Sequence, residues 1–419
     1  MKKRGLCWII EFLCKLAFTM PIAVDLTCHE FRSNPYPTYA YLRREAPVTR
    51  VRIGKRQFAW LITRYDDVLA AIKDPRFSKD KQTLPAAKQP WIPSIFRPLA
   101  KNMLDCDPPD HSRLRALVQK AFTPGMVEAL RERIEKLTNE LLERALVHAQ
   151  FDLIAEYALP LPTTIIAELI GVPAEDRYRF HRWSAKVVSL SPTAGSEMLF
   201  AFPPVIAFLR YIRKQICARR EHATADLLGA LVAAEEAGDK LSEDELVAMI
   251  FLLLIAGHET TVNLIGNGAL ALIENPSEAE KLRTNRVLMK LAVEEMLRYY
   301  SPVELATERW AREDVRFGNT VIRRGDLVFA GLGSANRDAA QFEDAQVFKA
   351  DREPNRHLAF GHGPHYCLGA PLARLEASIA FTTLLRRLPN LVLTKPREKL
   401  GWRKGFLLRG LESLPIASR

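Results

Sequence analysis

Residues 360–370 run Phe-Gly-His-Gly-Pro-His-Tyr-Cys-Leu-Gly-Ala, and this segment restricts the fold of the 419-residue chain more tightly than any other. Cys367 stands directly before an apolar-periodic stretch, Ala370 to Leu388, whose spacing predicts an amphipathic helix. A cysteine placed there sees the positive end of the helix macrodipole and the unpaired N–H groups of the first turn. Both favour thiolate over thiol. Gly361, Gly363 and Gly369 remove side chains where the backbone would pass close to a flat ligand. A small buried cysteine near a helix cap is the bland alternative. It accounts for Cys367 but not for the spaced glycines or for Phe360 seven residues upstream.

Phe360-Gly-His-Gly-Pro-His-Tyr-Cys367-Leu-Gly369 resembles the haem-binding loop of the cytochrome P450 superfamily, with His365 as the basic residue two before the cysteine. The resemblance implies that Cys367 is the axial thiolate of haem b, iron protoporphyrin IX, and that Phe360, Gly361, His365 and Gly369 help to bind it. It runs from about Asn34 to Pro415. It implies a mainly α fold with a minor β portion, the P450 fold, in which a long central helix lies over the haem. Residues 21–419 are then a single haem-thiolate monooxygenase domain, and 1–20 an extension of uncertain status. Ala359-Phe360-Gly361 and Leu368-Gly369-Ala370-Pro371-Leu372-Ala373-Arg374 suggest the soluble bacterial type.

The central helix is expected over residues 242–275. Ser242 and Glu245 have capping-box spacing before an apolar run. Leu246 to Gly257 is almost wholly apolar but far shorter than the 20 or so residues a membrane span needs, so a buried core helix fits. An acid beside a hydroxyl in mid-helix, Glu259 and Thr260, is costly when buried unless paired or used. Gly257 weakens the helix at the same place, and a local distortion there would make room for a small ligand. Ala256-Gly257-His258-Glu259-Thr260-Thr261 resembles the family's oxygen-activation segment. That match implies Glu259 and Thr260 as the catalytic acid–alcohol pair that relays protons, with Ala256 beside the cofactor. The alternative is a Thr260 that back-bonds to a helix carbonyl and a Glu259 that reaches solvent. His258 matches a variable position and receives no role.

Glu295 and Arg298, three apart on an expected helix, match the family's Glu-x-x-Arg pair, and Arg352 matches the third member of that ion network. Their implied role is a bidentate lock behind the haem loop. The two haem propionates need cations. His111 and Arg115, four apart on one helix face, resemble the propionate-binding pair, and Arg309 and His357 match two further positions. Solvated surface charge is the alternative for each, and Arg113 is the neighbouring alternative to Arg115.

The remaining features bound the class. Six cysteines form no CxxC pair and no zinc spacing, which fits a reducing cytosol, and a cytoplasmic protein is expected. The net charge of +11 is scattered among acids, so no nucleic-acid partner is expected. A basic docking face for an acidic electron-transfer protein is the functional alternative to a solvated surface. In the first twenty residues Glu11 and Lys15 interrupt the apolar stretch, so neither a membrane span nor a signal peptide is expected. An interfacial helix and a true start at Met20 stay open. Hydrophobic periodicity predicts a hairpin of Val48–Ile53 with Phe58–Thr63, then helices over 110–121, 124–148, 157–170, 174–188, 203–222, 224–236, 288–300 and 369–388. Short strands are expected over 305–330 and 389–416.

By resemblance the chain is a monomeric monooxygenase that inserts one atom of O2 into an apolar, medium-to-large substrate. The chain has neither a nucleotide-phosphate glycine fingerprint nor a four-cysteine cluster spacing, so electrons would come from a separate ferredoxin or flavodoxin with its reductase. Arg113, Lys120 and Arg374 are the expected docking cations. The pocket is expected from the 79–105 loop, the 186–204 stretch, the central helix near Ala256, residues 302–307 and Phe406. Its apolar side chains are Trp91, Ile92, Ile95, Phe96, Leu199, Phe200, Phe202 and Leu305. Two rivals stay open: a peroxide-driven peroxygenase, which the Glu259–Thr260 pair argues against, and a non-catalytic haem sensor or carrier.

Overall fold

The computed structural model describes residues 24–81, 84, 102–176, 179, 183, 197–224, 226–236 and 241–418. Residues 1–20 lie outside them, as do most of the expected 174–188 helix and the side chains of Trp91, Ile92, Ile95, Phe96, Leu199, Phe200 and Phe202.

The first part of the chain holds α1 (His29–Ser33), α2 (Tyr36–Glu45), β1 (Val48–Arg52), β2 (Phe58–Ile62), α3 (Tyr65–Lys73) and β3 (Phe77–Ser78). A helical region follows: α4 (Asp110–Ala121), α5 (Pro124–Ala129), α6 (Arg131–Ala145), the short strand β4 (Gln150–Asp152) and α7 (Pro160–Ile170). Next come α8 (Glu197–Glu221), α9 (Leu227–Glu236), α10 (Glu243–Glu274), α11 (Pro276–Thr284) and α12 (Met289–Tyr299). Strands β5 (Arg309–Ala311), β6 (Val315–Phe317), β7 (Thr320–Ile322) and β8 (Leu327–Ala330) lead to α13 (Leu332–Ala335). The chain closes with α14 (Ala370–Arg387), β9 (Leu391–Leu393) and β10 (Pro415–Ser418).

The main sheet has the order β1-β2-β8-β5-β3. The hairpin pairs Val48 with Ile62 as its alternation predicts, and its second strand then pairs in parallel with β8, Trp60 beside Val328. Trp60 Nε1 donates to Asp326 at 3.0 Å across that junction. On the other side Arg309 faces Val328, and β5 in turn carries β3, with Ser78 opposite Trp310. This pairing brings Lys79, at the end of β3, alongside Arg309.

Helix α10 starts as its sequence dictates: Glu245 N–H donates to Ser242 Oγ at 3.2 Å, and Ser242 N–H donates back to Glu245 Oε2 at 2.9 Å. By length and composition α10 would cross a membrane. It instead packs against α7, α12 and α14 in the largest core cluster, with Asn263 and Asn267 buried on it.

Three expectations change. The helix runs unbroken through Gly257, and the two threonines that follow bond back to it. Thr260 Oγ1 donates to Ala256 O at 2.9 Å and Thr261 Oγ1 to Gly257 O at 3.5 Å. The stretch 124–148 is two helices, because Leu130 N–H turns back to Val127 O, three residues behind, at 3.2 Å. Helices α3 and α11, not singled out by periodicity, also form; Pro276 in the first turn starts α11.

Candidate active site

The cysteine loop is a set of tight turns. Gly361 and Gly363 adopt φ of +69° and +73°, which a side chain would strain. Cys367 N–H donates to Phe360 O at 2.9 Å and Tyr366 N–H to Gly363 O at 3.0 Å. Gly369 has an ordinary φ of −79°; a Cβ there would face the Cys367 Sγ at 4.0 Å and nothing nearer, so the space beside the sulfur is open. Burial raises the thiol, while the N–H groups of Gly369 and Ala370 and the charges of Arg115 and Arg374 pull it down. In the protein alone burial wins, so the dipole argument does not by itself yield a thiolate. A coordinated metal cation reverses that balance.

The sulfur lines a cavity with about 1590 Å3 of empty space, part of it open to solvent. Its walls are largely apolar, including Leu252, Leu253, Leu264, Val303, Ala306 and Leu332. Ala256, Gly257 and Thr260 face it from α10. Gly257 has a packing reason too, since a Cβ would meet Ile166 Cδ1 at 3.1 Å. Glu259 does not line the cavity. Its carboxylate lies 3.6 Å from Arg403 Nη1, and burial raises it against the opposing pull of that guanidinium.

One end of the cavity is cationic. His111, Arg115, Arg309 and His365 line it, together with Lys79. The His111 and His365 rings are 4.1 Å apart, and both ring nitrogens of buried His111 lack a hydrogen-bond partner. Burial and the neighbouring Lys79, His111, Arg309 and Arg115 push His365 down to about 2. Burial holds Arg309 at about 10, and burial with Arg309 holds Lys79 at about 7. Every group shifts towards losing a proton: burial is the first cause in each, and neighbouring cations add to it at His111, His365 and Lys79. Three carboxylates act on Lys79 from a distance and each has other partners: Asp107 binds Arg312 at 2.7 Å and Ser78, Asp105 accepts from Asn102 at 2.9 Å, and Glu308 pairs with Lys81 at 3.0 Å.

The family model described as Cytochrome P450 matches residues 20–410. The chain belongs to the cytochrome P450 family. It is 44% identical over 394 residues to the polyketide biosynthesis cytochrome P450 PksS of Bacillus subtilis, covering 93% of this chain and 96% of that protein. It is 47% identical over 396 residues to cytochrome P450 107B1 of Saccharopolyspora erythraea, covering 92% and 95%. Among solved structures, PksS superposes with a TM-score of 0.88 at 43% identity, covering 94% of this chain and 99% of that one. A myxobacterial P450 in complex with myristic acid gives 0.88 at 42% identity, covering 94% and 98%. The protein is therefore a haem-thiolate monooxygenase with the P450 fold, binding iron protoporphyrin IX and using O2 and a small-molecule substrate.

The residues present fit the P450 cofactor. A cysteine beside open space faces a cavity whose cationic end, with the orphaned nitrogens of His111, suits two propionates. His357 is not at that end. Ala359 N–H donates to its Nδ1 at 3.2 Å, so its Nε2 donates to Glu294 at 3.0 Å. Arg374 also binds Glu294, at 2.7 and 2.8 Å, stacks on Phe360 and reaches Tyr366 OH at 3.2 Å. Glu294 thus ties the cysteine loop to α12. Burial alone would raise its carboxyl, but Arg374 and His357 hold it at about 2.

Glu295 is the second tie. It is fully buried and accepts from Arg298 Nε and Nη2 at 2.7 Å, Arg352 Nε at 3.0 Å, Lys349 N–H at 2.9 Å and Asn355 Nδ2 at 3.1 Å. Arg298 donates on to Asn336 O at 2.9 Å, and Asn336 Oδ1 accepts Leu358 N–H at 2.7 Å, two residues before Phe360. Sequence reasoning missed Lys79, whose lone position looks like any surface lysine. It also missed Glu376, a carboxylate on the cavity wall that burial raises to about 8. Its position on an otherwise apolar face of α14 was the available signal.

Proposed function

We propose that this P450 oxidises a bulky apolar product of secondary metabolism, of polyketide or long-chain acyl type. The observation that carries this is the apolar lining of the cavity that Cys367 and Thr260 share, with Leu252, Leu253, Leu264, Val303 and Leu332 in its wall. Several relatives carry concordant names, including PksS and a mycinamicin IV hydroxylase/epoxidase of Micromonospora griseorubida. When bound, the haem supplies the thiolate-promoted O–O cleavage typical of the family.

In this reading Cys367 is the iron ligand, and Phe360, Gly361 and Gly369 shape its bed. His111, Arg115, Arg309 and His365 hold the propionates, and His357 supports the loop through Glu294. Ala256 leaves room above the cofactor. Thr260 stands at the cavity wall with its hydroxyl donating to Ala256 O in the resting protein, and Glu259 carries protons from the Arg403 side, its carboxyl raised by burial against the pull of that guanidinium. Apolar walls exclude bulk water. Residues 21–419 work as one cytoplasmic, monomeric unit without a membrane. A small acidic ferredoxin or a flavodoxin delivers electrons at the face bearing exposed Tyr366 and Lys120 and half-exposed Arg374. Arg113 contributes less there, since it is bound to Glu245.

The test has two parts. The reduced, carbon monoxide-bound protein should show the red-shifted thiolate Soret band, and Cys367→Ala should lose both it and turnover. An imidazole-type band in the wild type would end the reading. A spectral binding panel of macrolides, long-chain fatty acids and small aromatics should favour the first two; tight binding of small aromatics alone would remove the bulky-substrate assignment.

A further inference from the structure

We infer that Lys79 is a propionate ligand in this protein, a fifth anchoring group beside His111, Arg115, Arg309 and His365. The inference rests on assigning that cationic cluster to the propionates. Its basis is where the sheet delivers the lysine. Strand β3 pairs with β5, Phe77 opposite Ala311 and Ser78 opposite Trp310, so the next residue pair along is Lys79 and Arg309. Asp107 holds the backbone there, accepting from Lys79 N–H at 3.1 Å and from the Ser78 hydroxyl. The backbone that carries the Lys79 side chain is therefore held in place.

A lysine ordinarily extends its ammonium to water along its apolar stem. Lys79 is only 3% exposed and lines the cavity instead. Its ammonium carries three donors, of which Thr307 Oγ1 takes one. Among the described residues no carboxylate lies within salt-bridge distance of it. Buried ammonium without a paired anion is costly, and here burial and the Arg309 charge outweigh the distant pull of Asp105, Asp107 and Glu308. An anion in the cavity removes that cost for the whole cluster at once. Two propionates against Arg115 and Arg309 are balanced, so Lys79 adds an excess positive charge at the macrocycle edge. Such a charge favours the reduced cofactor over the oxidised one.

The experiment compares Lys79→Met, Lys79→Arg and Arg309→Leu in the haem-loaded, substrate-free protein. Haem transfer to excess apomyoglobin and the midpoint potential are measured. Lys79→Met should release haem at least about tenfold faster, equal to about 1.4 kcal/mol, with a more negative potential. Lys79→Arg should stay near wild type. The haem-free Lys79→Met protein should melt no lower than haem-free wild type, since a buried charge is gone; should it fail to load haem, Lys79→Gln takes its place. An unchanged release rate and potential in Lys79→Met, with faster release in Arg309→Leu, would overturn the inference alone. Unchanged release in both would overturn the cluster assignment beneath it. Weaker binding of a fatty acid but not of the matching alcohol, with haem release unchanged, would assign the ammonium to substrate and overturn it too.

Discussion

Replacing Glu295 by Gln tests how the cysteine loop is held. One buried carboxylate accepts from two guanidiniums, one main-chain N–H and one amide. Glutamine keeps the shape but removes the charge and turns an NH2 group against donors. Breaking a buried ion pair by removing one partner costs about 3–5 kcal/mol. An unfolding entropy of about 2.1 cal/mol/K per residue gives about 0.9 kcal/mol/K for the 419 residues. The melting temperature should therefore fall by about 3–6 °C, read by circular dichroism on the haem-loaded protein. The loss should also reach the ligand, because Arg298 holds Asn336 and Asn336 holds Leu358. The reduced carbon monoxide spectrum should then gain a fraction of the imidazole-type band. A melting temperature within about 1 °C of wild type and an undiminished thiolate band would refute the reasoning.

Thr260→Ala should lower product formed per oxygen consumed by about 10²-fold, the lower end for a positioned proton donor, while binding spectra stay unchanged; equal coupling would remove Thr260 from catalysis. Glu294 is held at about 2, below its ordinary value of 4.5, so its stabilisation is present above 4.5 and is lost as pH falls towards 2. Glu294→Gln should therefore flatten the acid limb of the stability profile, and a limb as steep as wild type would show that other carboxylates set it. Gly268→Ala would put a Cβ 2.5 Å from Phe381 Cζ and 2.8 Å from Met296 Sδ, and should cost about 1–3 kcal/mol in urea unfolding. A neutral outcome would mean that α10 and α14 separate more easily than their packing suggests.

Legibility in the sequence followed the range of the interaction. Ser242 and Glu245 lie three apart, and their capping box starts α10 where expected. The span 110–121 is likewise a helix from Asp110 to Ala121, because its periodicity is local. The turn at Leu130 is invisible to a 3.6-residue period, since a three-residue bond breaks the helix without breaking the apolar stripe. Lys79 could not be read at all: its burial depends on strand pairing that sets it against Thr307, 228 residues away. Glu259 shows the same limit. Its place on α10 was clear, but its carboxylate's neighbour is Arg403, from the far end of the chain. The glycines of the loop were legible as glycines, yet Gly361 and Gly363 serve backbone conformation, and only Gly369 leaves open space beside the sulfur.

The parallel pairing of β2 with β8 has a consequence for synthesis of the chain. Trp60 and its partner Asp326 are 266 residues apart. At about 5–20 residues per second on the ribosome, the N-terminal hairpin emerges about 13–53 s before its neighbouring strand exists. Through that interval one edge of β2, with Trp60 and Leu61 beside it, is an open template for another chain. A strand that is interior in the finished sheet is thus, during translation, an exposed edge.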